Sequence, residues 1–514
     1  MTSITRSIKT ERFINVGFIL LSLFALICVF VTAMTKELSY DAAFNLQIAK
    51  SIASDLVYSS TYNPGYIHDY RVTTNGPLQY LCALLLSVFG NRLGLALTLT
   101  LVAAAFFYAA KKYSPAAWLL CITIVFTSAN FSDQLTSFMG EITAMGFVIL
   151  GLHTLSNRTA ARSDAAAIVM AGLFFGFSTT TKLISGIVVP FLAFGACATH
   201  DPKLTWPNFK STTVRAIQVS IIALAVFVAE FYFSTFMSQI MVKFAHAGSA
   251  EIPPSAPGLW KFIEHHFWQG STSPKEMMLH FGSFSNAVTL PLIFIAIGLL
   301  LTFSLFWSPL VLLIACLLIS GMYERRAIPI FFPLLLAGAW VASKKLEEMK
   351  ERNGKLLSSG SLPVLYIAAI LFLVVPQLFQ KDIRKALALN PDQVSQLLAL
   401  NRSDFQTFPA DQRALSMASV IKAAPEKVLT SGWWQFPEYQ LASGKHFYDR
   451  TAPEPVALLQ GKTDLLLLFD KSSVWYPETS IELCSGVVKE IENLVLCHFK
   501  PGIRLNIRAG IENQ

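Results

Sequence analysis

Residues 13–34, FINVGFILLSLFALICVFVTAM, form the stretch that decides the fold. This stretch carries no charged side chain, and it has the length of roughly 20 residues that crosses the hydrocarbon layer of a bilayer. It lacks the small-x-small cleavage site of a signal peptide, and comparable apolar runs recur as far as residues 362–379. Because lipid offers the backbone no hydrogen bonds, each run is predicted to be a helix. We therefore expect a polytopic α-helical membrane protein.

The composition supports lipid as the main solvent. The chain has 514 residues, of which 54% are hydrophobic and only 14% are charged, a balance unlike that of soluble domains. Its net charge of +8 comes from Lys and Arg in the short connections between apolar runs, not from one basic face, so we expect no nucleic-acid partner. Five cysteines lie in apolar runs and are predicted to be inert packing residues: Cys28, Cys82, Cys121, Cys197 and Cys316.

Basic residues in short loops predict the direction of each crossing, because they stay on the cytoplasmic side. Arg6, Lys9 and Arg12 place the N-terminus in the cytoplasm. The same rule gives about 11 transmembrane helices within residues 1–380, with outer loops at residues 36–77 and 242–286. A short interfacial helix is expected at residues 42–56, and the apolar run at residues 166–194 is interrupted at residues 178–182. The predicted location is the bacterial inner membrane.

Residues 381–514 are less hydrophobic and contain alternating short elements, which predicts a small soluble α/β domain. Two antiparallel strands around residues 491–493 would bring Cys484 and Cys497 together. A disulfide closing a loop of this size contributes about 3 kcal/mol in the chain-entropy model. This bond requires an oxidising compartment, so a periplasmic C-terminal domain is expected, in agreement with the loop charges.

Two acidic residues, Asp41 and Glu141, are the first candidates for a catalytic or binding role. Asp41 begins the interfacial helix, where it acts either as a helix cap or as a general base; the residues alone favour capping. Glu141 follows Gly140 and opens an apolar helix. An ionisable group at membrane depth is costly unless it faces a polar cavity, although stabilisation by the helix dipole is the alternative.

Three cations are candidates for contact with an anion. Lys182 lies in the hydroxyl-rich interruption and either binds an anion or extends to the interface. Arg325 and Arg326 lie on the outer side, against the usual direction of positive charge, which indicates a local anion such as a lipid phosphate. Pairing with Glu324 is the alternative.

Further polar contacts are expected from His68, Asp69 and Arg71 in the first outer loop. Isolated histidines are weak indicators of a metal, and no ligand-spacing motif occurs in the sequence. The sequence also has no convincing phosphate-binding glycine loop and no Gly-x-Ser-x-Gly, so soluble nucleotide or serine-hydrolase chemistry has little support.

Five short motifs together resemble the GT-C class of membrane glycosyltransferases. They are YDAAF at residues 40–44, GPL at 76–78 with FG at 89–90, GEITA at 140–144, TK at 181–182 after a GLFFG helix, and Arg325 with Pro329 and Pro333. Their order over residues 13–345 is similar to the branch containing protein O-mannosyltransferases and lipid A aminoarabinose transferases. Arg326 replaces the usual Tyr of that family and Asn75 replaces a Lys, so the phosphate contact moves to Arg71, Lys182 or Arg325.

The resemblance implies an enzyme that transfers a sugar from a polyprenyl-phosphate donor to an acceptor hydroxyl on a lipid, glycan or protein at the outer face, with inversion. Asp41 would be the general base, Glu141 would position the acceptor or sugar, and Lys182 and Arg325 would stabilise the departing phosphate. No cofactor is predicted; a divalent metal is optional and we predict none. A transporter or flippase, and a non-catalytic protein of envelope polysaccharide assembly, are the alternatives.

Overall fold

The computed structural model of the chain describes residues 2–35, 40–58, 76–127, 135, 138–156, 164–198, 205–245, 289–303, 305–320, 327–352, 412–430, 436–445, 447–449, 464–471 and 481–500. We refer to residues 2–352 as the helical part and to residues 412–500 as the C-terminal part. The predicted domain boundary at residue 380 and the predicted span at residues 362–379 lie outside the described residues.

The helical part is built from apolar helices that pack into one large core, with two small apolar clusters beside it. In chain order they are α1 (Thr2–Thr35), α2 (Tyr40–Asp55), α3 (Gly76–Phe89), α4 (Asn91–Tyr113), α5 (Pro115–Thr127), α6 (Glu141–Ser156), α7 (Asp164–Thr181), α8 (Ser185–Cys197), α9 (Trp206–Ala245), α10 (Thr289–Phe303), α11 (Ser308–Ser320) and α12 (Ala327–Arg352). A short 3-10 helix, Leu305–Trp307, precedes α11.

Four of these helices are long and apolar enough to cross a membrane, and the chain is a membrane protein. The four segments are Asn15–Met34, Arg92–Tyr113, Asp164–Thr181 and Trp206–Met237. Of these, 61% of Arg92–Tyr113 is buried but only 28% of Asn15–Met34, so α4 is central and α1 is peripheral. Shorter apolar helices accompany them, and the predicted total of about 11 crossings stays a prediction.

The helix α2 was expected to lie along the membrane interface with one apolar face. The helix is present, but residues 42–49 are buried on all sides. The reason is that α3 packs on one side of α2 and a helix from the C-terminal part packs on another. Residues 42–49 of α2 therefore belong to a covered segment and not to an open surface.

Close backbone contact fixes the hairpin of α3 and α4. Gly90 joins the two helices with a φ of 84°, a conformation that glycine adopts without strain. One turn later, a Cβ atom on Gly94 would lie 2.8 Å from the carbonyl oxygen of Leu85. Glycine at position 94 is therefore what lets the two helices approach each other.

The C-terminal part is a mixed α/β unit. Its elements are α13 (Gln412–Ala423), β1 (Lys427–Thr430), α14 (Pro437–Ser443), β2 (Phe447–Asp449), β3 (Leu465–Asp470), β4 (Cys484–Ile491) and β5 (Leu494–Phe499). The strand order is β2-β1-β3-β5-β4. β1 is parallel to β2 and β3, whereas β5 is antiparallel to β3 and β4. Four of the strands were expected from the sequence, and β2 was not.

The predicted disulfide between Cys484 and Cys497 is present, with an S–S distance of 2.03 Å. It links β4 to β5, which pair around the turn at residues 492–493. Both faces of β3 are covered, since its residues alternate between two apolar clusters. Leu441 of α14 packs against the core of the helical part, and α14 also contacts α2.

Candidate functional site

Two candidates chosen separately from the sequence form an ion pair. The Nζ atom of Lys182 lies 2.9 Å from Oε1 of Glu141, and the two side chains are only 14% and 4% exposed. Glu141 is the first residue of α6, and Lys182 lies in the break between α7 and α8. A charge-assisted hydrogen bond of this length offsets part of the cost of burying both charges. The sequence selected both residues but gave no indication that they pair.

The ion pair leaves hydrogen-bonding capacity for a ligand. The second carboxylate oxygen of Glu141, Oε2, is buried and accepts no hydrogen bond from the residues that the structure describes. A lysine ammonium carries three N–H donors, and the bond to Glu141 uses one of them. A carboxylate acceptor and ammonium donors therefore stand side by side in a largely buried position.

A tight turn sets the start of α6. Phe138 has a φ of 56° and Gly140 a φ of 82°, and the N–H of Ala144 donates to the carbonyl of Gly140 at 2.9 Å as the helix begins. Glycine tolerates this conformation, whereas a bulky residue such as Phe138 adopts it only when the surroundings hold it there. The turn brings Glu141 to the N-terminal end of α6, where the helix dipole favours a carboxylate.

Side-chain hydroxyls organise the break that carries Lys182. The backbone N–H of Lys182 donates to the backbone carbonyl of Ser178 at 2.9 Å, and this is the last helical hydrogen bond of α7. The hydroxyl of Ser178 donates to that of Ser185 at 2.8 Å, which in turn donates to the Lys182 carbonyl at 2.8 Å. These bonds satisfy backbone groups that the ends of helices leave unpaired. The hydroxyl-rich interruption seen in the sequence is thus a connection between two helices.

Three further buried polar residues were not predicted from the sequence. Asn45 and Gln79 are 2% and 0% exposed and hydrogen-bond to each other at 3.2 Å. Arg92 is 3% exposed, and its Nε donates to the carbonyl of Met34 at 3.1 Å, at the end of α1. Arg92 could have been found as a cation at the edge of an apolar run. Asn45 and Gln79 are uncharged residues of short helices, and the sequence around them has no comparable feature.

Glu230 is a further carboxylate that the sequence reasoning passed over. It lies in α9, and a Cβ atom on Gly76 would be 3.0 Å from its Oε1 atom. Gly76 is the first residue of α3, so this carboxylate stands at a helix N-terminus, where unpaired N–H groups attract negative charge. A lone acidic residue within the long apolar segment Trp206–Met237 was the available signal.

The other predicted site residues are not brought together by the described structure. Asp41 lies in the first turn of α2, four residues before Asn45; its side chain lies outside the described set. The remaining predicted contacts lie wholly outside the described residues: His68, Asp69, Arg71, Arg325 and Arg326.

A metal site was not predicted. Among the residues that the structure describes, no group of three or more His, Cys, Asp or Glu side chains is arranged to hold a metal ion. The side chains of Asp41, His68 and Asp69 are outside that set, so the expectation of a metal-free site stays a prediction.

Comparison with known proteins identifies the fold. No protein-family model matches the sequence, and no curated protein matches it. Among solved structures, ArnT from Cupriavidus metallidurans bound to undecaprenyl phosphate is similar, with a TM-score of 0.53 and 15% identity, covering 94% of this chain and 97% of that chain. The Archaeoglobus fulgidus oligosaccharyltransferase in complex with Zn and sulfate has a TM-score of 0.40 and 11% identity, covering 88% of this chain and 67% of that one. The likeness to ArnT confirms the GT-C fold expected from the motifs.

Proposed function

We propose that the chain is an integral membrane glycosyltransferase that transfers a sugar from a polyprenyl-phosphate donor to an acceptor hydroxyl on a lipid, glycan or protein. The observation that carries the proposal is the buried Glu141–Lys182 pair at the helix ends of a fold shared with ArnT. ArnT is described with undecaprenyl phosphate bound, which supports a polyprenyl phosphate as the donor class. The ion pair supplies the two opposite charges that such a transfer uses.

Lys182 is the proposed partner of the donor phosphate. As the bond between the anomeric carbon and the phosphate oxygen breaks, negative charge accumulates on the phosphate, and ammonium N–H donors stabilise it. The phosphate competes with the Glu141 carboxylate for the same ammonium. When the phosphate binds, Oε1 of Glu141 is released and joins Oε2 as an acceptor for the hydroxyls of the sugar or of the acceptor molecule.

Asp41 is the proposed general base. Its carboxylate takes the proton of the acceptor hydroxyl while that oxygen attacks the anomeric carbon, and polyprenyl phosphate leaves from the opposite face, which inverts the configuration. Position 41 lies four residues before Asn45 in α2, and Asn45 contacts the turn before Glu141. Arg71, His68, Asp69, Arg325 and Arg326 are proposed as further donor contacts, and we propose that neither a cofactor nor a metal is required.

The proposed reaction takes place on the periplasmic face of a bacterial inner membrane. Two observations support this side. The loop charges place the N-terminus in the cytoplasm, and the Cys484–Cys497 disulfide in the C-terminal part is of a kind that persists in oxidising compartments.

The test is sugar transfer by purified protein in lipid nanodiscs, using radiolabelled polyprenyl-phosphate sugars and a mixture of acceptor lipids, glycans and peptides. Asp41→Asn is expected to lower the rate by about 10²–10⁴-fold, the range for a lost general base, and Glu141→Gln by about 10²-fold. The matched control is Glu490→Gln, which removes the carboxylate of an exposed Glu–Lys pair in the C-terminal part and is expected to leave the rate unchanged.

Three results would contradict the proposal. Unchanged transfer in both Asp41→Asn and Glu141→Gln would remove the assigned roles. Movement of the intact lipid-linked sugar between leaflets without transfer would identify a flippase. Neither activity, with retained binding of an envelope polysaccharide, would identify an assembly protein.

A further inference from the structure

A chain of amide hydrogen bonds connects three separate segments beside the ion pair. Nε2 of Gln79 in α3 donates to Oδ1 of Asn45 in α2 at 3.2 Å, and Nδ2 of Asn45 donates to the carbonyl of Phe138 at 3.0 Å. Phe138 lies in the turn just before Glu141. Amides buried in an apolar core are costly unless they are bonded, so these bonds fix how the three segments sit against each other.

The acceptor of the last bond is a backbone carbonyl in a disfavoured conformation. Phe138 is fully buried and has a φ of 56°, which bulky residues avoid. The Asn45 amide is a side chain that reaches this turn from a different helix, 93 positions away in sequence. Loss of the amide donor would leave the carbonyl without this partner and allow the turn to relax towards an ordinary conformation.

We propose that Asn45 is a positioning residue that holds the turn at residues 138–140 and thereby fixes Glu141 against Lys182. Asn45 lies in α2, the helix whose first turn carries Asp41. Its bond to Phe138 therefore ties this helix to the turn before Glu141. The role in transfer rests on the proposed function. The role in holding the turn does not, and it is measured separately.

The first experiment measures the turn without using activity. Met139 lies in the turn and is half-buried, so Met139→Cys reports its opening through the labelling rate with a charged, membrane-impermeant thiol reagent. The same chain without this change gives the background from native thiols. We expect Asn45→Asp, which keeps the acceptor for Gln79 but loses the donor to Phe138, to raise the labelling rate by about tenfold, because local opening becomes easier.

Two further variants make this result specific. Asn45→Leu removes both hydrogen bonds without adding a charge and should raise labelling as much as Asn45→Asp does. Thr100→Val is the control, because it removes a half-buried hydroxyl that bonds within α4, to the carbonyl of Ala96 at 2.7 Å. Size-exclusion chromatography of each variant checks that the protein is folded. An unchanged labelling rate in folded Asn45→Asp or Asn45→Leu overturns the proposal.

The second experiment measures transfer in a double-mutant cycle. If Asn45 acts through Glu141, then Asn45→Leu lowers kcat by about tenfold in the parent chain but adds little in the Glu141→Gln chain, since interacting residues are non-additive. Equal losses in both backgrounds would mean a general structural effect and would overturn the proposal. If the parent transfers no sugar at all, the proposed function fails, and the labelling rates alone still decide whether Asn45 holds the turn.

Discussion

Glu490–Lys471 and Glu141–Lys182 are Glu–Lys pairs in contrasting surroundings. Glu490 and Lys471 pair at 2.7 Å on the surface of the C-terminal sheet, with side chains 44% and 38% exposed. Glu141 and Lys182 pair at 2.9 Å among the helix ends, almost completely buried. The distances are alike, but water solvates the first pair and is largely excluded from the second. An ion pair's length is therefore a poor guide to its importance, and its burial is a better one.

The largest effect is expected from removing one partner of each pair. Lys182→Met leaves the Glu141 carboxylate buried without its cation, which should lower the free energy of unfolding by about 3–5 kcal/mol. Lys471→Met should cost less than about 1 kcal/mol, because water solvates the remaining carboxylate. Unfolding of both variants in the same detergent, followed by intrinsic fluorescence, measures the difference. Equal losses would mean that the buried pair is also effectively solvated.

A smaller effect is expected from opening the disulfide of the C-terminal part. Cys484→Ser removes a cross-link between residues separated by 13 positions, with an expected loss of about 3 kcal/mol from the stability of that part. Because the bond lies within the β4–β5 pair, labelling of Met139→Cys should not change. Limited proteolysis of the C-terminal part checks the loss. A matching rise in labelling at position 139 would show that the two regions are coupled.

The smallest effect is expected from the α3–α4 contact. In Gly94→Ala the new methyl group would lie 2.8 Å from the carbonyl oxygen of Leu85, which is backbone and cannot move away by itself. Overpacking of this kind costs about 1–3 kcal/mol. Gly17→Ala is the matched control, since among the described residues no atom beyond its own neighbouring helix backbone lies within 4 Å of the position that its methyl group would take. Thermal unfolding of both variants in detergent compares them, and equal stability would mean that the two helices separate without cost.

The sequence predicted those parts of the fold that short patterns encode. The lengths of the apolar runs predicted the helices, and the hydroxyl-rich residues 178–182 predicted the break at Lys182. The alternating pattern of the C-terminal part predicted the β4–β5 pair with its disulfide. The short edge strand β2 was missed because three residues carry too little pattern. Topology beyond the described helices, including the total number of crossings, stays a prediction.

The candidate site was harder to predict, because its contacts come from distant parts of the chain. Glu141 and Lys182 stood out as lone charges among apolar residues, which is a strong local signal. Asn45 and Gln79 are uncharged and sit in short helices, so nothing in their neighbourhood distinguishes them from ordinary polar residues. Their importance comes from a turn that is 93 positions beyond Asn45, and only the packing of the helices brings the two together.

The Glu141–Lys182 pair also bears on how the protein is assembled in the bilayer. Its two charges belong to different hydrophobic segments, one at the start of α6 and one between α7 and α8. Each of these apolar segments carries its own charge, and a single charge costs roughly 3 kcal/mol near the centre of a bilayer and less nearer the interface. The charges of Glu141 and Lys182 neutralise each other only when the two segments pack together. Formation of the pair therefore favours the correct assembly of the helices, whereas a bundle with the wrong neighbours leaves both charges without their partner.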